Sequence, residues 1–153
     1  MKPSRFVRYW MPAVIWMALI FLGSTDVLSA EHTSRFLVPF LRWLNPEITG
    51  ATLAFVQTII RKLGHVTEYA ILATLLWRAL RAGTTLNLRV WVLFAVVWTA
   101  CAMFAATDEF HQAFVPSRTS SFQDVIIDIC GALIGLTICI ALAAPKVVKQ
   151  TRA

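Results

Sequence analysis

Ionisable side chains stand inside the apolar stretches of this 153-residue chain, 58% of which is hydrophobic. The clearest cases are His65, Glu68, Asp124 and Asp128. A charge at the centre of a bilayer costs roughly 2.5–3.5 kcal/mol on insertion scales, so such residues mark candidate functional sites. Because imidazole and carboxylate groups act as general acids and bases, we predict this role for His65, Glu68 and Asp124.

The first polar group recurs at helical spacing, so its members share one face of a predicted helix. On or beside that face stand Arg61, Lys62, His65, Glu68, Tyr69 and Leu72. His65 fits a general base or a ligand to a bound group. The alternative is a structural histidine that hydrogen-bonds to Glu68 or to a backbone carbonyl, the more common role of a solitary histidine.

A second polar group, Asp108-Glu109-Phe110-His111-Gln112, follows the third apolar stretch. If the helix continues toward Pro116, its polar groups share a face, and Phe110 and Phe114 point elsewhere. The residues of that face are Ala105, Asp108, Glu109 and Gln112. The alternative is a hydrated helix end with no further role.

Arg118 follows in the turn Pro116-Ser117-Arg118-Thr119-Ser120-Ser121, where Ser120 or Ser121 is expected to cap the next helix. Its planar guanidinium fits a carboxylate or a phosphate. The sequence is equally compatible with two roles. Arg118 binds an anionic ligand, or it pairs with Asp124 or Glu109.

A third polar group lies in the last apolar stretch, where Asp124, Asp128, Gly131 and Gly135 occupy one helical face. The two glycines form a GxxxG step, which permits close approach between helix backbones. We therefore predict a helix-packing role for Gly131 and Gly135. The carboxylates would lie at the end of the same face.

The three groups fall at the same end of their predicted helices, which favours one shared polar site over unrelated structural roles. Residues predicted to contact a ligand there are Arg61, Lys62, Tyr69, Asp108, Glu109, His111, Gln112, Arg118 and Asp128. The sequence contains no HExxH, Gly-rich phosphate loop or GxSxG motif, and no spacing matches a strong metal template. We therefore predict no cofactor, with a divalent metal as the less favoured alternative.

Membrane-spanning helices are the elements that must position these residues. Only 14% of the chain is charged, against about a quarter in ordinary soluble domains. We predict an all-α, multi-pass membrane bundle in one domain, 1–153, with four spans at about 8–24, 62–81, 89–107 and 124–144. Pro12 fits the first turn of the first span, and Pro145 fits a residue that ends the last one.

The basic residues flank the apolar stretches and form no single stripe, so the net charge of +6 does not indicate a nucleic-acid partner. Most of them precede the first span, surround the second connection or follow the last span. The positive-inside rule therefore predicts cytoplasmic termini and places the polar site on the outer side.

The first outer connection contains an amphipathic segment at 33–44, predicted to be an interfacial helix that Pro39 kinks or begins. Asn45-Pro46-Glu47 ends that segment, and 48–60 is predicted to be helical again. The stretch 46–61 is either continuous with the second span or a separate re-entrant turn.

The chain resembles the VanZ-like family of bacterial membrane proteins in three motifs that keep their order. The motifs are Arg61-Lys62-Leu63-Gly64-His65-Val66-Thr67-Glu68-Tyr69, the stretch from Asp108 to Arg118, and Asp124-x3-Asp128-x2-Gly131-x3-Gly135. Phe21-Leu22-Gly23-Ser24 is similar too. Ser117 and Asp128 depart from the pattern, because many relatives have Gly and Asn there. The resemblance implies a multi-pass protein of the bacterial cytoplasmic membrane, and the name-giving member is associated with teicoplanin resistance.

Two functions remain open. In the first, the polar site binds or processes an anionic lipid or a lipid-linked cell-wall precursor, with Arg118, Lys62 and Arg61 holding phosphate. In the second, a non-catalytic protein limits the access of amphiphilic antibiotics to the surface or scaffolds membrane partners. The first depends on the acid–base residues, and the second depends on the outer connection.

Overall fold

A computed structural model describes the backbone of residues 4–25, 30–115 and 120–150, and their side chains apart from those of 30–33 and 144–150. These residues form only helices and connections, as predicted. The helices are α1 (Arg5–Gly23), α2 (Ala30–Leu44), α3 (Gly50–Gly83), α4 (Val90–Gln112) and α5 (Phe122–Gln150).

Two proline predictions are wrong. The Ser4 hydroxyl accepts a hydrogen bond from the Val7 N–H at 3.3 Å, so α1 begins there and Pro12 lies inside the helix. α5 continues past Pro145 to Gln150. A proline removes its own N–H donor and its ring crowds the carbonyl four residues earlier, which can kink a helix without ending it.

α2 lies in the first connection, and α3 begins in that connection and contains the predicted second span. α2 ends at Leu44, where the predicted break begins, and Pro39 lies inside it. α3 then runs without interruption over 34 residues, capped at its start by the Thr49 hydroxyl. The stretch 46–61 is therefore not a separate re-entrant helix, because its helical part continues directly into the predicted second span.

Within the described residues, three helical segments are long and apolar enough to cross a membrane: Arg5–Gly23, Val90–Gln112 and Phe122–Ala143. α3 is not one of them, although it contains the predicted span 62–81. Charged residues at both ends of that segment reduce its apolar character, namely Arg61, Lys62, Glu68, Arg78 and Arg81. The fourth span therefore stays a prediction.

A close backbone contact joins α3 and α5. A Cβ atom on Gly131 would lie 2.5 Å from the carbonyl oxygen of Val66. One on Gly135 would overlap the carbonyl oxygen of Ala70. Both contacts advance in the same direction along the two helices, so α3 and α5 are parallel. The GxxxG step, which has no side chains at these two positions, permits this approach.

α1 runs antiparallel to the second half of α3. The Arg5 Nε donates to the carbonyl oxygen of Ala82 at 2.6 Å, and the Trp16 indole donates to that of Glu68 at 2.9 Å. Apolar side chains fill the middle of the bundle: Ile20, Tyr69, Leu72, Ala73, Trp77, Leu93, Val97, Cys101, Ala105, Ala132 and Leu136. This core holds the ends of the helices in fixed register.

Candidate functional site

The polar site lies at one end of the bundle, defined by Ser24, Arg61, Gln112 and Asp124, which we call the polar end. Here two ion pairs link the parallel helices α3 and α5. Arg61 donates to Asp124 at 3.1 Å, and the His65 Nδ1 lies 3.0 Å from the Asp128 Oδ1. The hydrogen-bond partner of His65 is thus Asp128, and neither Glu68 nor a backbone carbonyl.

The ends of α1 and α4 meet through a buried hydrogen-bond network. The Ser24 hydroxyl donates to Asp108 at 2.6 Å. The Gln112 amide donates to the same carboxylate oxygen at 3.1 Å and to the Ser24 hydroxyl at 3.2 Å. All three side chains are buried. Ser24 was not a predicted site residue, although the family-like stretch Phe21-Leu22-Gly23-Ser24 that contains it was a signal that could have indicated it.

Glu109 connects α4 to the start of α5. Its Oε2 accepts a hydrogen bond from the Ser121 N–H at 2.9 Å, and its other oxygen is buried without a hydrogen-bond partner. The Ser121 hydroxyl accepts from the Gln123 N–H at 3.2 Å, so Ser121 caps α5 as expected. The Glu109 carboxylate therefore lies fixed beside the first turn of α5.

The polar face predicted on α4 is the buried one. Ala105, Asp108, Glu109 and Gln112 are all buried, whereas the rings of Phe110 and Phe114 are exposed and pack edge-to-face on each other. This arrangement presents the carboxylates to α1, α3 and α5. One donor atom each of His65, Glu109 and Asp124 lies within 4.8 Å of the other two.

A cavity of about 390 Å³ opens beside this cluster, between α1, α2, α3 and α4. Its polar wall includes Ser24, Arg61, His65, Glu68 and Gln112, and Ser34, Gln57 and Thr58 line it further out. The apolar part of the lining comprises Leu37, Ala54 and Ile60. A hydrogen bond of 2.9 Å from Gln57 to Ser34 fastens α2 over the cavity.

Several predicted site residues lie elsewhere. Tyr69 is fully buried in the core next to Phe104, and its hydroxyl has no hydrogen-bond partner. The His111 ring packs on Phe21 with ring centres 4.2 Å apart. Neither lines the cavity, and Lys62 does not line it either. Arg118 lies outside the described residues.

Sequence reasoning missed Ser34, Gln57 and Thr58 as cavity residues. Ser34 sits on α2, and only the fold brings it over His65 and Arg61. Gln57 and Thr58 precede Arg61 by four and three residues on α3, so helical spacing could have placed them near its polar face. For Ser34, the sequence signal was the aromatic side of the amphipathic helix α2, because the opposite side of such a helix faces the protein.

The polar end buries more negative than positive charge within the described part of the chain. Asp108, Glu109, Asp124 and Asp128 are all buried. Of their hydrogen-bond partners there, only Arg61 has a permanent positive charge, and His65 is charged only when protonated. Because burial makes an uncompensated carboxylate costly, the contacts of these four side chains decide how well the site is stabilised.

These observations define a class: in the part of the chain that the structure describes, the secondary structure is all helical, three helices have membrane-spanning length, and a buried polar cluster lies at one end. A family comparison matches residues 9–143 to the family described as VanZ/LLP1. The chain belongs to the VanZ/LLP1 family, in agreement with its motifs, and family and apolar helices together fit a membrane protein. No curated protein and no solved structure gives a significant match.

Proposed function

We propose that the chain crosses the bacterial cytoplasmic membrane four times, with the second half of α3 as the fourth crossing. The antiparallel contacts of Arg5 with Ala82 and of Trp16 with Glu68 support this arrangement. A segment that accompanies a spanning helix along its length lies at the same depth in the bilayer. Its charged residues are tolerated because they lie at its ends or face the bundle interior.

The proposed orientation has both termini in the cytoplasm and the polar end outside. Arginines collect at the opposite end, at positions 5, 8, 78, 81 and 89. The Arg8 and Arg78 guanidiniums lie over the Tyr9 ring, 5.8 Å and 5.3 Å from its centre. Such a concentration of positive charge is typical of the cytoplasmic side.

In this orientation the cavity would bind the headgroup of an anionic envelope lipid or of a lipid-linked cell-wall precursor. The observation that carries the proposal is the combination of Arg61 with an apolar lining in one cavity. An amphiphile needs both surfaces, because its phosphate seeks a guanidinium and its chain avoids water. The Arg61 side chain is 32% exposed, so it can contact a ligand while it pairs with Asp124.

His65 is the residue best placed for proton transfer to a ligand in the cavity. Its Nδ1 is engaged by Asp128, which fixes the ring and leaves Nε2 for a bound group. A carboxylate–histidine pair of this kind stabilises the imidazolium that forms when the ring accepts a proton. The pair would serve as a general base if the bound lipid is also processed.

The binding proposal predicts that Arg61→Gln weakens lipid binding about tenfold or more, equivalent to about 1.4 kcal/mol. Native mass spectrometry of the full chain in detergent, with added polyprenyl phosphate, measures this binding. Arg42→Gln is the matched control, because it removes the same charge from an exposed position on α2 that does not line the cavity. Equal affinities for the two variants would contradict the proposal.

A second function is favoured by α2. Phe36 and Trp43 are 82% and 77% exposed, and Phe40 on the same side is 54% exposed. This face would lie at the membrane–water interface on the outer side of the cytoplasmic membrane. There it would alter how amphiphilic antibiotics such as teicoplanin reach the membrane surface. The teicoplanin susceptibility of cells that express the chain distinguishes the two functions. The combined substitutions Phe36→Ser, Phe40→Ser and Trp43→Ser would abolish an effect of α2 on susceptibility, whereas Arg61→Gln would leave that effect unchanged.

A further inference from the structure

We propose that His65, Glu109 and Asp124 form a binding site for a divalent transition-metal cation of the Mn²⁺ or Zn²⁺ type. The site would lie within the polar cluster, next to the cavity. This inference goes beyond the lipid-binding proposal and does not depend on it. A metal on His65 Nε2 would replace the proton-transfer role proposed for that atom and would leave lipid binding by Arg61 unaffected. It also departs from the sequence-based expectation that the protein has no cofactor.

The first argument is geometric. Donor atoms from α3, α4 and α5 lie within 4.8 Å of one another. Two ligands of a tetrahedral zinc ion lie about 3.4 Å apart, since each bond is roughly 2.1 Å long. Small rotations of the Glu109 and Asp124 carboxylates would close the remaining gap. No spacing in the sequence signals this set, because its members come from three different helices.

The second argument is a carboxylate oxygen that has no partner. Glu109 is only 4% exposed, and its Oε1 is buried without a hydrogen bond. Its Oε2 is held by the Ser121 N–H, so the side chain cannot swing out to water without losing that bond. A buried anionic oxygen requires a compensating charge or donor. A cation between Glu109, Asp124 and His65 would supply it.

The third argument is the orientation of His65. Metal-binding histidines commonly donate their second ring nitrogen to a carboxylate, which fixes the tautomer and strengthens the ligand. Asp128, which is fully buried, holds the Nδ1 of His65 in this way. Nε2 is then the ligand nitrogen. Asp128 would be an outer carboxylate of the site and not a direct ligand.

The donor set determines the class of cation. One imidazole nitrogen with two carboxylates suits Mn²⁺ or Zn²⁺ better than Mg²⁺ or Ca²⁺, which prefer oxygen ligands alone. Arg61 bonds to one oxygen of Asp124 at 3.1 Å and leaves the other oxygen for the metal. The excess of buried carboxylates offsets the repulsion between this guanidinium and the cation.

The test uses the full chain, purified in detergent without a polyhistidine tag and stripped of metal with EDTA. Titration with Mn²⁺, followed by the electron paramagnetic resonance of free Mn²⁺, should give one bound ion per chain. Glu109→Gln should weaken binding tenfold or more, because the amide keeps the hydrogen bond from Ser121 but loses the charge. Glu47→Gln is the matched control, because it removes the same charge from an exposed position outside the cluster, and it should bind Mn²⁺ like the parent chain.

A second measurement identifies the nitrogen ligand directly. Electron spin-echo envelope modulation of bound Mn²⁺ should show coupling to a nitrogen of His65, and His65→Gln should abolish that coupling. Absence of stoichiometric binding, absence of nitrogen coupling, or unchanged affinity in a monodisperse Glu109→Gln variant would each overturn the proposal. None of these results depends on a lipid, so failure here is distinct from failure of the lipid-binding proposal.

Discussion

At the scale of single residues, the most specific feature is the buried network of Ser24, Asp108 and Gln112. It connects the ends of α1 and α4 across a sequence separation of 84 residues. A buried carboxylate that loses a donor keeps its desolvation cost, so each member of such a network matters more than an exposed hydrogen bond. The network therefore fixes one wall of the cavity.

Ser24→Ala should lower the free energy of unfolding by about 1–3 kcal/mol, because the Asp108 carboxylate would lose its shortest hydrogen bond. Thr107→Ala is the control, since the Thr107 hydroxyl is exposed and bonds only to the Met103 carbonyl of its own helix at 2.8 Å. It should change stability by less than about 0.5 kcal/mol. Unfolding in detergent, followed by tryptophan fluorescence, measures both. Similar stability changes in the two variants would show that the network contributes little.

Helical spacing correctly predicted which side of α4 is buried, but it did not decide what each polar group touches. Tyr69 and His111 stand at sequence positions adjacent to site residues, yet one is in the core and the other packs on Phe21. A helix turns about 100° per residue, so sequence neighbours face different surroundings. Only the packing of the other helices decides which direction leads to the cavity.

At the scale of elements, the parallel pair of α3 and α5 organises the site. The backbone contacts at Gly131 and Gly135 bring the two helices together, and the ion pairs of Arg61 and His65 lie one to two turns nearer the polar end. The register set by the glycines is therefore the register that pairs the charges. A substitution that shifts the glycine contacts should therefore also disturb the pairing of Arg61 with Asp124 and of His65 with Asp128.

Gly135→Ala should destabilise the fold by about 1–3 kcal/mol or more, because its methyl group would overlap the Ala70 carbonyl and force the helices apart. Gly64→Ala is the matched control, since nothing lies within 4 Å of the position of its added methyl group. That control should be neutral or slightly stabilising, because alanine favours the helix. Thermal unfolding in detergent distinguishes the two, and equal destabilisation would contradict the close contact of α3 with α5.

At the scale of the whole molecule, the four-crossing proposal makes a prediction about access from the two sides of the membrane. The test uses a chain in which Cys101, Cys130 and Cys139 are replaced by alanine. In that background, Glu47→Cys should react with a membrane-impermeant maleimide added to intact cells or spheroplasts. Asn87→Cys in the same background should react with the maleimide only after the membrane is permeabilised. Both positions are exposed in the structure. The reverse labelling would invert the proposed orientation, and labelling of both from outside would exclude a crossing by α3.

The sequence by itself determined the all-helical class, the membership of the VanZ/LLP1 family and the buried faces of the polar helices. The family follows from motifs that keep their order along the chain. The helical class and the buried faces follow from composition and from a helical period, which act within one segment at a time. Tertiary structure decided that α3 is one continuous helix, that His65 pairs with Asp128, and that Ser24 and Ser34 face the cavity. Such pairings depend on the depth and rotation of helices that are distant in sequence. Packing fixes both quantities, and no local spacing encodes them.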